Sequence, residues 1–80
     1  MFVCADGLVC EYADDGDAVA AACDVARHHA RVGIASDART AQHCAARALP
    51  GMVICPRRFE AAFTSYPLTS TTALVEVRAR

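Results

Sequence analysis

The chain has 80 residues, a length that fits one domain with a modest hydrophobic core. Its formal net charge is −1 and its basic residues, all arginine apart from the histidines, are scattered along the sequence, which argues against nucleic-acid binding through a basic surface. No apolar run reaches the roughly 20 residues that span a bilayer, and Met1 is not followed by a leader, so we expect a cytoplasmic protein without a membrane span.

The first predicted element is a β-hairpin over residues 2–12. Asp6-Gly7 is a two-residue turn signal between two short apolar segments. Such a turn places Val3 opposite Cys10. Cys4 and Cys10 are then not opposed, so no disulfide is expected between them. The apolar face of the hairpin is expected to pack on the helix that follows.

That helix is predicted to lead into a buried strand over residues 32–35. Asp14 is placed to cap the helix, because a carboxylate there accepts unpaired backbone N–H groups. Apolar residues then recur at helical spacing, opposite a charged face. The apolar face is predicted to contain Val19, Ala22, Cys23, Ala26 and Ala30, and the charged face Asp24, Arg27, His28 and Arg31.

A second helix is predicted from about residue 37 to residue 49. Ser36 is a suitable N-cap, and Pro50 with Gly51 ends the helix and turns the chain. The buried face is predicted to contain Ala38, Ala41, Cys44, Ala45, Ala48 and Leu49, and an exposed stripe to contain Arg39, His43 and Arg47.

The remaining residues predict a strand at 52–55, a short helix at 57–63, a polar loop at 64–72 and a half-exposed strand at 73–80. This order of elements predicts one α+β domain over residues 1–80, a small ferredoxin-like sheet with helices packed on one face. Both main helices are rich in alanine, which buries little area per residue. We therefore expect the domain to depend on a partner.

Several stretches together resemble the class III nucleotidyl (adenylate/guanylate) cyclase homology domain. The hairpin at 5–12 resembles the family's Gly-Asp hairpin, with Ala5 in place of the glycine. The resemblance covers nearly the whole chain but only the latter part of a longer domain, and it implies an incomplete cyclase-like fold. The other matching segments are DAVAAA at 17–22, RVGIAS at 31–36, AAR at 45–47, PGMVI at 50–54 and the strand at 73–80.

The resemblance implies roles for three residues. Asp6 matches an aspartate that binds metal, Arg47 matches the arginine that stabilises the transition state, and His43 stands where an asparagine is expected. The family's other metal-binding aspartate, on its first strand, has no match in this sequence, and there is no lysine to select the base. Each hard cation needs several oxygen ligands, so one carboxylate cannot build two metal sites.

The same residues also have structural interpretations. Aspartate tolerates the backbone angles of a turn, and an exposed helical arginine such as Arg47 is commonly solvated. The histidines and the five cysteines lack a familiar zinc-ligand spacing, and Cys55 has no histidine linked to it by sequence. We therefore expect cysteines that are reduced and buried.

The sequence thus predicts a non-catalytic nucleotidyl-cyclase-like domain that acts through association in nucleotide signalling. Its predicted partner is a second copy or a full-length cyclase-like chain, and no cofactor is expected. One alternative is the half-site of a class III cyclase completed by another chain, which would use Mg²⁺ or Mn²⁺ with a nucleoside triphosphate. The other is an unrelated ferredoxin-like domain that binds a ligand or a protein.

Overall fold

The computed structural model describes residues 1–66 and 70–74. The predicted polar loop at 64–72 is wrong at both ends, because Thr64 and Ser65 belong to a 3-10 helix and residues 70–72 belong to a strand. Most of the strand predicted at 73–80 lies outside the described residues. The elements are β1 (Phe2–Ala5), β2 (Leu8–Glu11), α1 (Asp15–Ala26), β3 (Val32–Ala35), α2 (Ala38–Arg47), β4 (Met52–Pro56), a 3-10 helix (Arg57–Ser65) and β5 (Ser70–Leu74).

The strands form one mixed sheet in the order β2-β1-β3-β4-β5. β1 pairs antiparallel with both β2 and β3, whereas β3 pairs parallel with β4, and β4 parallel with β5. The predicted α+β class is confirmed, and a mixed sheet with helices packed against it is compatible with the ferredoxin-like prediction. Among the residues that the structure describes, no helix is long and apolar enough to cross a membrane.

The predicted hairpin is confirmed, including its register. Val3 lies opposite Cys10 and Cys4 opposite Val9. The two turn residues, Asp6 and Gly7, both have positive φ, at 52° and 82°. Positive φ at both central positions defines the type I′ turn that Asp-Gly favours, because its twist matches that of the strands.

The first helix begins as predicted but ends earlier. The Asp14 carboxylate accepts a hydrogen bond from the backbone N–H of Asp17 at 3.3 Å. The helix stops at Ala26, and His29 adopts a left-handed φ of 64° that reverses the chain. The prediction that Arg31 lies on the charged face of this helix is therefore wrong, because Arg31 lies in the segment that leads into β3.

The placement of the helices differs from the prediction of one covered face. Val32 and Ile34 of β3 belong to the cluster formed with α1, while Ala35 packs with α2. Successive side chains of a strand point to opposite faces, so α1 and α2 cover opposite faces of the sheet. The reason lies in β3 itself: its four residues are all buried and apolar or small, as expected for a strand covered on both sides.

The two helical connections consequently have opposite hands. β2, β3 and β4 are mutually parallel, and the chain steps in the same direction across the sheet through α1 and then through α2. Helices on opposite faces then require one right-handed and one left-handed crossover. The left-handed form is the uncommon one.

The N-cap of α2 is Asp37, which corrects the prediction of Ser36. The Asp37 carboxylate accepts hydrogen bonds from the Thr40 backbone N–H at 2.8 Å and from the Thr40 hydroxyl at 2.8 Å. These two bonds lower the pKa of the Asp37 carboxyl. The Ser36 hydroxyl instead accepts a hydrogen bond from the Arg58 guanidinium. Leu49, predicted to be buried, lies beyond the end of the helix and is 61% exposed.

The face under α2 is built from small residues that let the helix backbone approach the sheet. A Cβ added to Gly33 would collide with the Ala41 carbonyl oxygen and the Ala45 backbone nitrogen, and would lie 2.7 Å from the Cys44 Cβ. Only glycine fits at this point of β3. The opposite face holds the larger side chains, which include Val19, Ile34, Val53, Phe59 and Phe63.

Substitution of Gly33 by alanine is expected to push α2 off the sheet. We expect a loss of about 3 kcal/mol in the free energy of unfolding, the upper part of the range for overpacked cores. Urea unfolding followed by circular dichroism measures it. Gly16→Ala is the matched control, because its added methyl meets only the flexible Asp14 side chain, and it should stay within about 0.5 kcal/mol of the parent. Equal stability of both variants would contradict the close packing of α2.

Candidate functional site

The three residues singled out by the resemblance occupy two regions of the structure. Asp6 lies in the exposed hairpin turn, whereas His43 and Arg47 lie on the exposed side of α2, one helical turn apart. Asp6 borders a cleft between the hairpin turn and α2, but neither His43 nor Arg47 lines it. The structure therefore places Asp6 near α2 but does not bring Asp6, His43 and Arg47 together in one site.

The cleft has a volume of about 280 Å³ and carries charges of both signs. Asp6 and Arg31 both line it, and Gln42 supplies an amide from α2. The sheet register explains why the two charged residues lie near the same cleft. Ala5 pairs with Val32, so Asp6, which follows β1, and Arg31, which precedes β3, lie at the same end of the sheet.

Arg31 and Gln42 are the cleft residues that sequence reasoning missed. The helical pattern assigned Arg31 to α1, because the apolar spacing continues to Ala30 after the helix has ended. The pairing of the hairpin with β3 would have identified Arg31 as a cleft residue, but a sequence does not show which strands pair. Gln42 has no motif of its own, and only the packing of α2 near the turn selects it.

The charged groups of the cleft have no protein partner in the part of the chain that the structure describes. Within residues 1–66 and 70–74, neither the Asp6 carboxylate nor the Arg31 guanidinium forms an ion pair or a hydrogen bond. No group of three or more His, Cys, Asp or Glu side chains suited to a metal ion occurs among these residues either. The cleft is thus lined by one carboxylate, that of Asp6, and one guanidinium, that of Arg31.

A second depression, which we call the β2 groove, lies on the other face of the sheet between β2 and α1. Its volume is about 260 Å³. The hairpin was predicted to pack its apolar face on this helix, and Val3 does so, but Leu8 is 73% exposed and Cys10 is also exposed. β2 is the edge strand of the sheet. The groove is lined mainly by Val3, Ala5, Leu8, Cys10, Tyr12, Ala21 and Val25.

The five cysteines are all free, and four of them are buried. Burial raises the pKa of the Cys44 thiol to about 11 and that of the Cys55 thiol to about 12. Burial also raises the pKa of Cys4 and Cys23. Thiols with raised pKa values hold little reactive thiolate at neutral pH. The prediction of buried cysteines holds except for Cys10, which faces solvent beside the β2 groove.

Comparisons with protein-family models, curated proteins and solved structures give no significant match. The cyclase resemblance therefore remains a prediction that is based on the sequence motifs alone. Its segments correspond to the hairpin, α1, β3, the end of α2 and β4.

Thiol labelling under native conditions is expected to modify Cys10 alone. The buried thiols are shielded and protonated, so one of the five cysteines should react quickly with a disulfide reagent at neutral pH, and all five after unfolding. Cys10→Ser should remove the fast reaction, whereas Cys23→Ser, the control, should leave it. Fast labelling of a second thiol in the folded protein would contradict the buried positions.

Proposed function

We propose that the chain is a non-catalytic nucleotidyl-cyclase-like domain that acts through association in nucleotide signalling, and that its partner is a second copy of itself. The observation that carries the proposal is the outer edge of β2, which pairs with no other strand of the described residues and lies beside the apolar β2 groove. An edge strand presents unpaired N–H and C=O groups, and a neighbouring apolar surface adds burial to the pairing.

The edge of β2 is self-complementary. If two copies pair antiparallel with Val9 opposite Val9, Leu8 of each copy lies opposite Cys10 of the other. Opposed residues of an antiparallel pair point to the same face, so both groove surfaces would meet in one apolar patch. The net charge of −1 means that two copies repel each other only weakly.

The non-catalytic part of the proposal is supported by the surroundings of Asp6. Two-metal chemistry needs several oxygen ligands held in fixed geometry. Among the described residues, Asp6 belongs to no cluster of metal-binding side chains, and the cleft that it borders also contains a guanidinium. A cation at Asp6 would meet the like charge of Arg31.

Leu8→Asp is expected to weaken self-association by at least about tenfold, because it buries a carboxylate in the apolar patch. Sedimentation velocity over a range of protein concentrations measures the dimer dissociation constant. Leu49→Asp is the matched control, since Leu49 is the second exposed large hydrophobic residue among those whose burial the structure describes, and it lies outside the β2 groove. A parent protein that stays monomeric at all concentrations, or equal effects of both variants, would overturn the proposal.

The second candidate, a half-site completed by another chain, has one observation in its favour. The cleft that Asp6 borders is lined by Ala46, the neighbour of the predicted transition-state residue Arg47. In such a half-site Asp6 would hold the metal, while His43 and Arg47 would serve the nucleotide of the partner chain.

Calorimetric titration of ATP and GTP with Mn²⁺ separates the two candidates. The non-catalytic proposal predicts no heat of binding for the parent chain or for Asp6→Asn. Asparagine also tolerates the positive φ of the turn, so the variant is expected to keep the hairpin. Nucleotide binding that disappears in Asp6→Asn would instead favour the half-site.

A further inference from the structure

We infer that the cleft between the hairpin turn and α2 binds a free α-amino acid with a small apolar side chain. Asp6 would receive the ammonium group and Arg31 the carboxylate. This inference goes beyond the proposed association and does not depend on it, because Arg31 and Gln42 line the cleft and do not line the β2 groove.

The strand ladder positions the backbone next to each charged residue. Asp6 directly follows β1 and Arg31 directly precedes β3, and because Ala5 pairs with Val32 both lie at the same end of the sheet. The type I′ turn fixes the backbone of Asp6 on its other side. A ligand that meets both groups therefore finds their backbones already positioned, which lowers the entropic cost of binding.

Both charged groups line the cleft and are available to an external partner. Within the described residues, the Asp6 carboxylate and the Arg31 guanidinium form no ion pair with each other and no hydrogen bond. An α-amino acid carries an ammonium and a carboxylate on one carbon, so one small ligand can meet both of the charged groups that line the cleft. A polyphosphate fits less well, because its charge would lie beside the Asp6 carboxylate.

The remaining walls set the size and polarity of the ligand. Gln42 contributes an amide that can both donate and accept hydrogen bonds. Ala45 and Ala46 line the α2 side, and Cys4, which is buried and whose pKa is raised by that burial, lies at the sheet. This surface is apolar and shallow. It suits a short aliphatic side chain, and the cleft volume of about 280 Å³ is that of a small ligand.

The test is a titration of the full chain with L-valine, followed by backbone amide shifts in NMR spectra. We expect saturable shifts at Gly7, Gln42 and Ala46, with a dissociation constant on the order of 1 mM or tighter. Isobutyrate and isobutylamine each carry only one of the two charges. Each should bind at least about tenfold more weakly than L-valine.

Two variants and two controls assign the charges. Asp6→Asn and Arg31→Gln should each weaken L-valine binding about tenfold or more, with Asp6→Asn chosen because asparagine tolerates the turn. Asp15→Asn and Arg39→Gln, which remove exposed charges outside the cleft, should leave binding unchanged. Leu8→Asp should also bind normally, so failure of the dimer would not be confused with failure of the site. No saturable shift up to about 50 mM L-valine, or equal binding by the cleft variants and the controls, would overturn the inference.

Discussion

The structure depends on the close contact between α2 and β3 at Gly33. The helix backbone lies so near the strand that a single methyl group at this position would collide with it. Ala41, Cys44 and Ala45 make the approach possible from the helix side, since none has a long side chain. Alanine buries little area per residue, but here it shortens the distance between the helix and the sheet. Dispersion contacts between backbone and sheet then replace those of larger side chains.

Local patterns predict the elements well because each rests on local chemistry. The Asp6-Gly7 turn, the Asp14 cap and the buried strand at β3 follow from turn angles, carboxylate hydrogen bonds and apolar content, all of which act over a few residues. The end of α1 is less predictable because apolar spacing continues to Ala30 after hydrogen bonding has stopped. The division of the helices between two faces depends on which strands pair, and that information is not local.

The candidate site shows the same limit. Asp6 is visible in the sequence because it belongs to a recognisable turn and to a family resemblance. Arg31 becomes its neighbour only through the pairing of β1 with β3. The hairpin turn itself borders both depressions, since Asp6 lines the cleft on the α2 side and touches the β2 groove on the other. An association through β2 and a ligand in the cleft would therefore act on one short rigid turn from two sides.

The position of β3, with one helix on each of its faces, bears on how the chain folds. β3 pairs with β1 across a long stretch of sequence, from Phe2 with Ala35 to Ala5 with Val32. Closing the loop between these two strands costs conformational entropy before their contacts stabilise the fold. Neither helix alone can shield β3, because one lies above it and the other below. The strand gains its full stabilisation only when the hairpin, α1 and α2 are all in place. Such an arrangement favours a single cooperative transition over stepwise assembly.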